Sequence, residues 1–346
     1  MAPGPLNAIT DVEGVLVGHT TVVAGEGATA VRTGVTAVVP RKDVWDELVF
    51  ASVFVLNGNG QMTGTAWIQD SELLGFPVML TSSASVGQVY DAVVAYLFRR
   101  DPSRRAGLQA VVTECWDGLL NDIRGRHIRP DHVFEAIEGA KGGLVAEGSV
   151  GAGTGMVSYE LKGGIGTASR RVPPEAGGHT VGVLVLTNQG SRRQLLVDGV
   201  PVGREISDLL PEVHARSLDK DENSIIMVVA TDAPLSSRAL ERLARRATMG
   251  LARTGATAHA SSGDIAIAFS TAQTVTRTGQ GEIELRTLRP GRLDPLFDAA
   301  AEATEEAIIN SLTMATTTTG VNGNRVHALP LDRLKEILLR YGRLER

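Results

Sequence analysis

Apolar and β-branched residues gather along the chain in short runs over positions 35–39, 52–56, 77–81, 108–113, 180–187, 194–197, 225–230 and 264–270. They run nearly unbroken, with little polar alternation, which is the pattern of strands covered on both faces. Between them the spacing becomes helical. Positions 88–98 place Val89, Val93, Tyr96 and Leu97 on one side, and 234–253 do the same with Leu235, Leu240, Leu243, Ala247 and Leu251. Positions 294–314 and 331–341 repeat the pattern, the first with Asp294 expected as N-cap and Pro295 at N1. Buried strands need covering layers, so an α/β protein of stacked layers is expected. No linker divides the 346 residues, and a single domain spanning 1–346 is expected.

The sharpest junction lies at Ser224. Asp219, Lys220, Asp221 and Glu222 give way to the apolar run that starts at Ile225, so a hydroxyl stands at the first position of a buried strand. Asn223 and Ser224 also suit the end of a loop. The alternative is that the Asn223–Ser224 bond is cut and Ser224 becomes a new N-terminus, separating 1–223 from 224–346. A serine hydroxyl borrows a base to act as a nucleophile. No G-x-S-x-G elbow or recognisable triad histidine is present. An N-terminal serine carries its own base, an α-amino group of pKa about 7.7–8.0.

Composition removes several other classes. A net charge of −5 leaves no footprint for nucleic acid, and the cluster Arg99, Arg100, Arg104 and Arg105, beside Asp101 and Pro102, reads as a solvated helix end. The single cysteine, Cys115, permits no internal disulfide; it fits a reducing compartment and reads as a buried, inert thiol. The histidines form no HExxH pair or Cys/His cluster, so neither a metal nor a cofactor is expected. The first residues show no charged-then-apolar leader, and no apolar stretch approaches the roughly 20 residues of a membrane span. A soluble, cytoplasmic protein is expected. Glycine is plentiful at 39 residues, nine of them within 142–166. The Gly151-Ala152-Gly153-Thr154-Gly155 run lacks the Lys-Ser/Thr ending of a P-loop and the third glycine of a dinucleotide fingerprint. Tight turns, or backbone lying close to a substrate, are left. Asn57-Gly58-Asn59-Gly60 reads as a turn after a strand or as a pocket wall.

Six blocks occur in one order: ITDVEGVLVGH from Ile9, NGNGQMTG from Asn57, WDGLLNDI from Trp116, GAGTGMVSYELKGGIGTASR from Gly151, NSIIMVVATDAPL from Asn223 and SSGDIAIAFSTA from Ser261. In this the chain resembles the DmpA-like peptidases, the family of L-aminopeptidase/D-esterases and β-peptidyl aminopeptidases. The resemblance implies a four-layer αββα sandwich of the N-terminal-nucleophile hydrolase type, two sheets face to face with helices outside. It also implies a homotetramer and self-cleavage before Ser224.

By the same resemblance, Ser262 hydrogen-bonds the nucleophile or its amine, Asp264 orients the group and offsets its charge, and Asn188 stabilises the oxyanion. From the residues alone, Ser262 and Asp264 equally suit a turn entering a strand, and Asn188 a strand end. Trp116 stands where some relatives have tyrosine, and offers only an N–H donor and a larger wall. Glu114 is the candidate partner for a substrate ammonium, with a solvated or structurally paired glutamate as the alternative. Gln61 replaces a glutamate common in the NGNGEMTG form of the motif, and Asn59 lies in the same wall. The reading is a self-processing N-terminal-serine aminopeptidase acting on short peptides, amides or esters. Its rivals are acyl transfer of the ornithine acetyltransferase type, where threonine stands at the cleavage point, and a non-catalytic glycine-rich binding protein.

Overall fold

The computed structural model describes residues 1–214 and 223–344. The chain opens with β1 (Leu16–Ala24) and β2 (Val31–Val39), crosses to β3 (Glu47–Gly58), and continues through α1 (Thr65–Ser71), β4 (Leu73–Leu74), β5 (Val78–Ser82), α2 (Val86–Arg100), β6 (Val111–Cys115) and α3 (Pro130–Glu138). A short ribbon of β7 (Val157–Ser158) and β8 (Leu161–Lys162) leads into β9 (Ile165–Arg171) and β10 (Thr180–Asn188), and α4 (Val202–Glu205) is a single turn. The rest comprises β11 (Ser224–Thr231), α5 (Ser237–Arg253), β12 (Gly263–Thr276), α6 (Asp294–Thr313), the ribbon of β13 (Thr318–Thr319) and β14 (Arg325–Val326), and α7 (Leu331–Arg340).

Two main sheets result, in the orders β1-β2-β5-β6 and β4-β3-β12-β11-β10-β9. The unbroken apolar runs are sorted by alternate residues. On β11, Ile226, Val228 and Ala230 enter a core shared with Val38, Leu80 and Val111 of the smaller sheet. Ile225, Met227 and Val229 pack instead with Leu240 and Leu243 of α5 and Ala300 and Ala307 of α6. A third cluster sets Val35, Ala37, Met79 and Val112 against α2 and α3. Three cores between helices, sheet, sheet and helices make the αββα sandwich. Each fully covered leucine in these layers contributes about 1.5–3 kcal/mol through burial.

The predicted face of α5 is the one buried, with Leu240, Leu243, Ala247 and Leu251 inside. Its start is set by Ser236, whose hydroxyl accepts from Ala239 N–H. Elsewhere the structure corrects the reading. Residues 194–197 form no strand, because Arg192 turns inward and its guanidinium serves the carbonyls of Tyr159, Glu160, Ile206 and Leu209. Only Val197 bridges, to Val200. Asp294 is the first residue of α6 and not its cap; Leu293 holds that place in helical conformation and Pro295 sits one residue further in. The strand expected at 108–113 runs from Val111 to Cys115. Strands β1 and β9 and helix α3 were not anticipated. Strand β1 is half exposed and β9 holds small residues in its middle and two arginines at its end, so neither shows a long apolar run. At Gly166 of β9 a Cβ would lie 1.9 Å from Ala307 O, so α6 can pack on this strand only over glycine.

Candidate active site

Ser224 is the first residue of β11, which lies inside the larger sheet. Its register partners are Asn188 at the end of β10 and Gly263 at the start of β12. Strand pairing thus gathers three positions that are far apart in sequence. Ser224 is 4% exposed, and its Oγ has no oxygen or nitrogen partner among the described residues, its polar neighbour being the Cys115 thiol. The carbonyl of Asn223 accepts from Gly263 N–H at 3.0 Å. A Cβ on Gly263 would stand 2.5 Å from Asn59 O, so glycine is required for the loop after β3 to close over the strand end. Asn59 holds that closure: its N–H reaches Ser262 O at 3.3 Å and its Nδ2 donates to Ser261 O at 2.7 Å.

Ser262 and Asp264 come with the same strand end. The Ser262 hydroxyl donates to Asp264 Oδ1 at 2.8 Å, and both residues are buried. Burial pushes the Asp264 carboxyl up to about 6, and the Ser262 hydrogen bond pulls it back part of the way. Asn188 Oδ1 accepts from Val157 N–H at 3.0 Å. That contact fixes which end of the amide carries the oxygen and leaves its NH₂ end as the donor.

A pocket of about 360 Å³ opens over Ser224 and Asn223, and Asn59, Gln61, Ser83, Glu114 and Trp116 are in its walls. The volume suits a small ligand. Glu114, on β6, is 5% exposed; its Oε1 accepts from Gln61 N–H at 2.9 Å and its Oε2 from the Ser83 hydroxyl. Gln61 therefore serves the wall through its backbone N–H. Ser83 was missed at the sequence level, since one serine in a Ser-Ser-Ala-Ser run carries no distinguishing signal. Trp116 follows β6 and is half-buried. Cys115 lies behind Ser224, its thiol 3.6 Å from Leu186 O and within reach of the Ser224 hydroxyl, and burial pushes it well above its ordinary value. The sequence-predicted residues Ser224, Asn188, Ser262, Asp264, Asn223, Glu114, Trp116, Gln61 and Asn59 thus meet at one end of the sheets.

A second, much smaller cavity of about 10 Å³ also borders Asn223, and Gln189, Gln194, His259, Ser262 and Asp264 line it. The glycine run at 151–155 is not among the described residues that line the pocket over Ser224. It is a buried turn whose Gly153 carbonyl, with that of Gly163, receives the ammonium of Lys162 at 2.9 and 2.7 Å. Burial brings Lys162 down to about 7, opposed by the nearby Asp117 charge. Among the described residues no group of His, Cys, Asp and Glu is arranged to hold a metal ion, and no helix is long and apolar enough to cross a membrane.

The profile of peptidase family S58 matches residues 7–326. The β-peptidyl aminopeptidase BapA of Sphingosinicella microcystinivorans is 45% identical, over 99% of this chain and 90% of its own length. Among solved structures, a Burkholderia sp. β-aminopeptidase superposes with a TM-score of 0.91 at 44% identity, covering 99% of this chain and 96% of its own. The L-aminopeptidase D-Ala-esterase/amidase of Ochrobactrum anthropi, a serine aminopeptidase and variant of the Ntn hydrolase fold, does so with 0.92 at 38% identity and the same coverage. The fold is accordingly that of the Ntn hydrolases in this variant form, and on both sequence and structure the chain belongs to peptidase family S58, as an aminopeptidase.

Proposed function

We propose that the chain cuts its own Asn223–Ser224 bond and then acts as an N-terminal-serine aminopeptidase on short peptides, amides or esters. One observation carries this reading: the buried Ser224 hydroxyl, with no oxygen or nitrogen partner among the described residues, stands at a strand end beside a carbonyl already held by Gly263 N–H. In the first reaction Ser224 Oγ attacks the Asn223 carbonyl carbon, the C–N bond breaks, and the hydroxyl proton passes to the Ser224 nitrogen. Water then hydrolyses the resulting ester, leaving a carboxylate at 223 and a free amine at 224. Holding the scissile bond against its nucleophile supplies the proximity such a stable bond needs.

In turnover the new amine takes the proton from Oγ as the hydroxyl attacks the substrate carbonyl, and the Asn188 NH₂ donates to the oxyanion. Asp264, held by Ser262, balances the charge on the amine. The departing amine of the substrate takes the proton, and water releases the acyl group from Ser224. Glu114, across the pocket, pairs with the substrate's free ammonium, with Trp116 and the Asn59–Gln61 loop as walls. Two relatives, named a β-peptidyl aminopeptidase and an L-aminopeptidase D-Ala-esterase/amidase, support trying β-peptides and D-Ala esters as substrates. A cytoplasmic setting and assembly into a homotetramer belong to the same reading; the first rests on the single cysteine and the second on family resemblance.

Denaturing mass spectrometry of fresh protein tests the proposal. Dividing 36.5 kDa by length, pieces of about 23.5 and 13 kDa are expected, the smaller beginning at Ser224. Ser224→Ala should stay whole and inactive. A fully active, uncut wild-type chain overturns the mechanism.

A further inference from the structure

The second cavity bordering Asn223 has a composition of its own. At about 10 Å³ it takes one water molecule and nothing larger. Gln189, in its wall, is 2% exposed; its side-chain amide is within hydrogen-bonding reach of the Tyr159 hydroxyl, yet neither Nε2 nor Oε1 completes a well-aligned hydrogen bond among the described residues. Asp264 Oδ2 is in the same condition, although its other oxygen is held by Ser262. Buried amides and carboxylates with unengaged atoms are rare because each forfeits its hydration. Gln189 and Asp264, which both carry such atoms, line this one cavity, whose size fits a single bound water with a donor and an acceptor in its walls.

The location gives that water a task. Asn223, whose carbonyl carbon becomes an ester after attack by Ser224, lines the same cavity. We propose that Gln189 and Asp264 hold the water that hydrolyses the Asn223 ester during self-cleavage. The inference rests on the cleavage reading above. The water oxygen bonds to the Asn223 carbonyl carbon as one of its protons passes to Asp264. The ester C–O bond then breaks, and Ser224 Oγ recovers that proton. The products are the Asn223 carboxylic acid, which ionises, and a free Ser224. With its carboxyl raised to about 6 by burial, Asp264 is ionised at neutral pH yet basic enough to accept a proton. Gln189 donates to and accepts from the water, and so acts as a positioning residue.

The test separates the two steps of cleavage. Gln189→Met keeps volume and removes both polar atoms, so the first step should proceed while the second stalls. Purified variant should run as the uncut mass and split within minutes in neutral hydroxylamine, a nucleophile that needs no bound water, giving a 1–223 piece that ends in a hydroxamate. Its spontaneous separation should be at least about tenfold slower than wild type. Separation at the wild-type rate overturns the proposal, as does a folded variant that stays whole and resists hydroxylamine, since Gln189 would then act before the ester forms. If thermal unfolding shows that Gln189→Met has not folded, Gln189→Asn carries the test. Its amide is one methylene short, and slowed, hydroxylamine-sensitive separation is again expected, with wild-type kinetics overturning the idea. A wild-type chain that never separates overturns the cleavage reading itself, and this inference with it.

Discussion

The Ser262 hydroxyl donates to Asp264 Oδ1 at 2.8 Å in surroundings where Ser262 is 1% exposed and Asp264 is fully covered. The pair is therefore a hydrogen bond to a carboxylate that has almost no water to fall back on. Because burial raises the Asp264 carboxyl to about 6 from an ordinary 3.8, this group favours folding most below the ordinary value. That contribution is lost as pH rises through 6. Above that pH the carboxylate depends on its donor. Ser262→Ala should then cost about 1.5–3 kcal/mol at pH 8 and clearly less at pH 5, where the carboxyl is protonated. Urea unfolding at the two pH values checks this; equal losses would show that the hydroxyl serves packing alone.

Lys162 presents the opposite sign. Its folded value of about 7 lies below the ordinary 10.5, so its favourable contribution is complete above 10.5 and is lost as pH falls through 7. Compared with Lys162→Met, wild type should gain stability as pH rises from 7 to 10, by at most about 1.4 kcal/mol per pH unit. Melting temperatures of the two proteins measured across that range should diverge in favour of wild type. A constant gap would mean that the ammonium stays charged in the fold.

Glu114 faces the pocket with both oxygens already held, which sets its direction before any substrate arrives. Glu114→Gln should raise KM for substrates with a free amino end by about 10–100-fold while kcat changes little, the pattern of an interaction present equally in ground and transition states. N-acetylated substrates should be poor with either protein. Equal turnover of blocked and free substrates by wild type removes the ammonium role.

Asn188 pairs with Ser224 in register, and its amide oxygen is occupied by Val157 N–H. If its NH₂ group meets the oxyanion, Asn188→Ala should lower kcat by about 10²–10³-fold, with KM nearly unchanged. Steady-state kinetics decides this. A loss confined to KM would assign the amide to substrate binding.

The parts of this site that could be read from the sequence are those that sit at strand ends. The change from charged residues to an unbroken apolar run put Ser224 at the start of β11, and the structure begins that strand at the same residue. Asp264 was likewise read at the head of a run, and it is the second residue of β12. What stayed hidden depends on contacts across the fold. Ser83 matters through a hydroxyl reaching Glu114, 31 residues on, and Gly263 through its N–H on Asn223 and the bare Cα that lets Asn59 approach. Neither leaves a periodicity. The false strand at 194–197 failed because its apolar residues surround an arginine that turns inward, and a local pattern cannot reveal which way a long charged side chain points. Strand β9 escaped for a related reason: Gly166 and Ala168 are small where α6 packs on them, and Thr167 and Ser169 face the other way, where their hydroxyls accept from Ile9 N–H and Gly4 N–H, so neither face carries the bulk that would have marked a strand.

The order of the larger sheet has a consequence for a chain opened after Asn223. Strands β11 and β12 lie side by side in its interior, flanked by β10 on one side and β3 on the other. The two long strands that follow Asn223 thus form a wedge between strands of the preceding portion, and α6 lies across β9 on the far flank. A nick at the wedge's tip breaks no ladder pair, so in the folded state the two polypeptides would behave as one body. In the unfolded state they would not: they would diffuse apart, and restoring the sheet would require a second-order encounter. Heat or denaturant would then act on the mature protein as a ratchet, with recovery that depends on concentration, whereas an uncut Ser224→Ala chain could return by itself. Its durability would be governed by the rate at which the wedge escapes more than by an equilibrium constant.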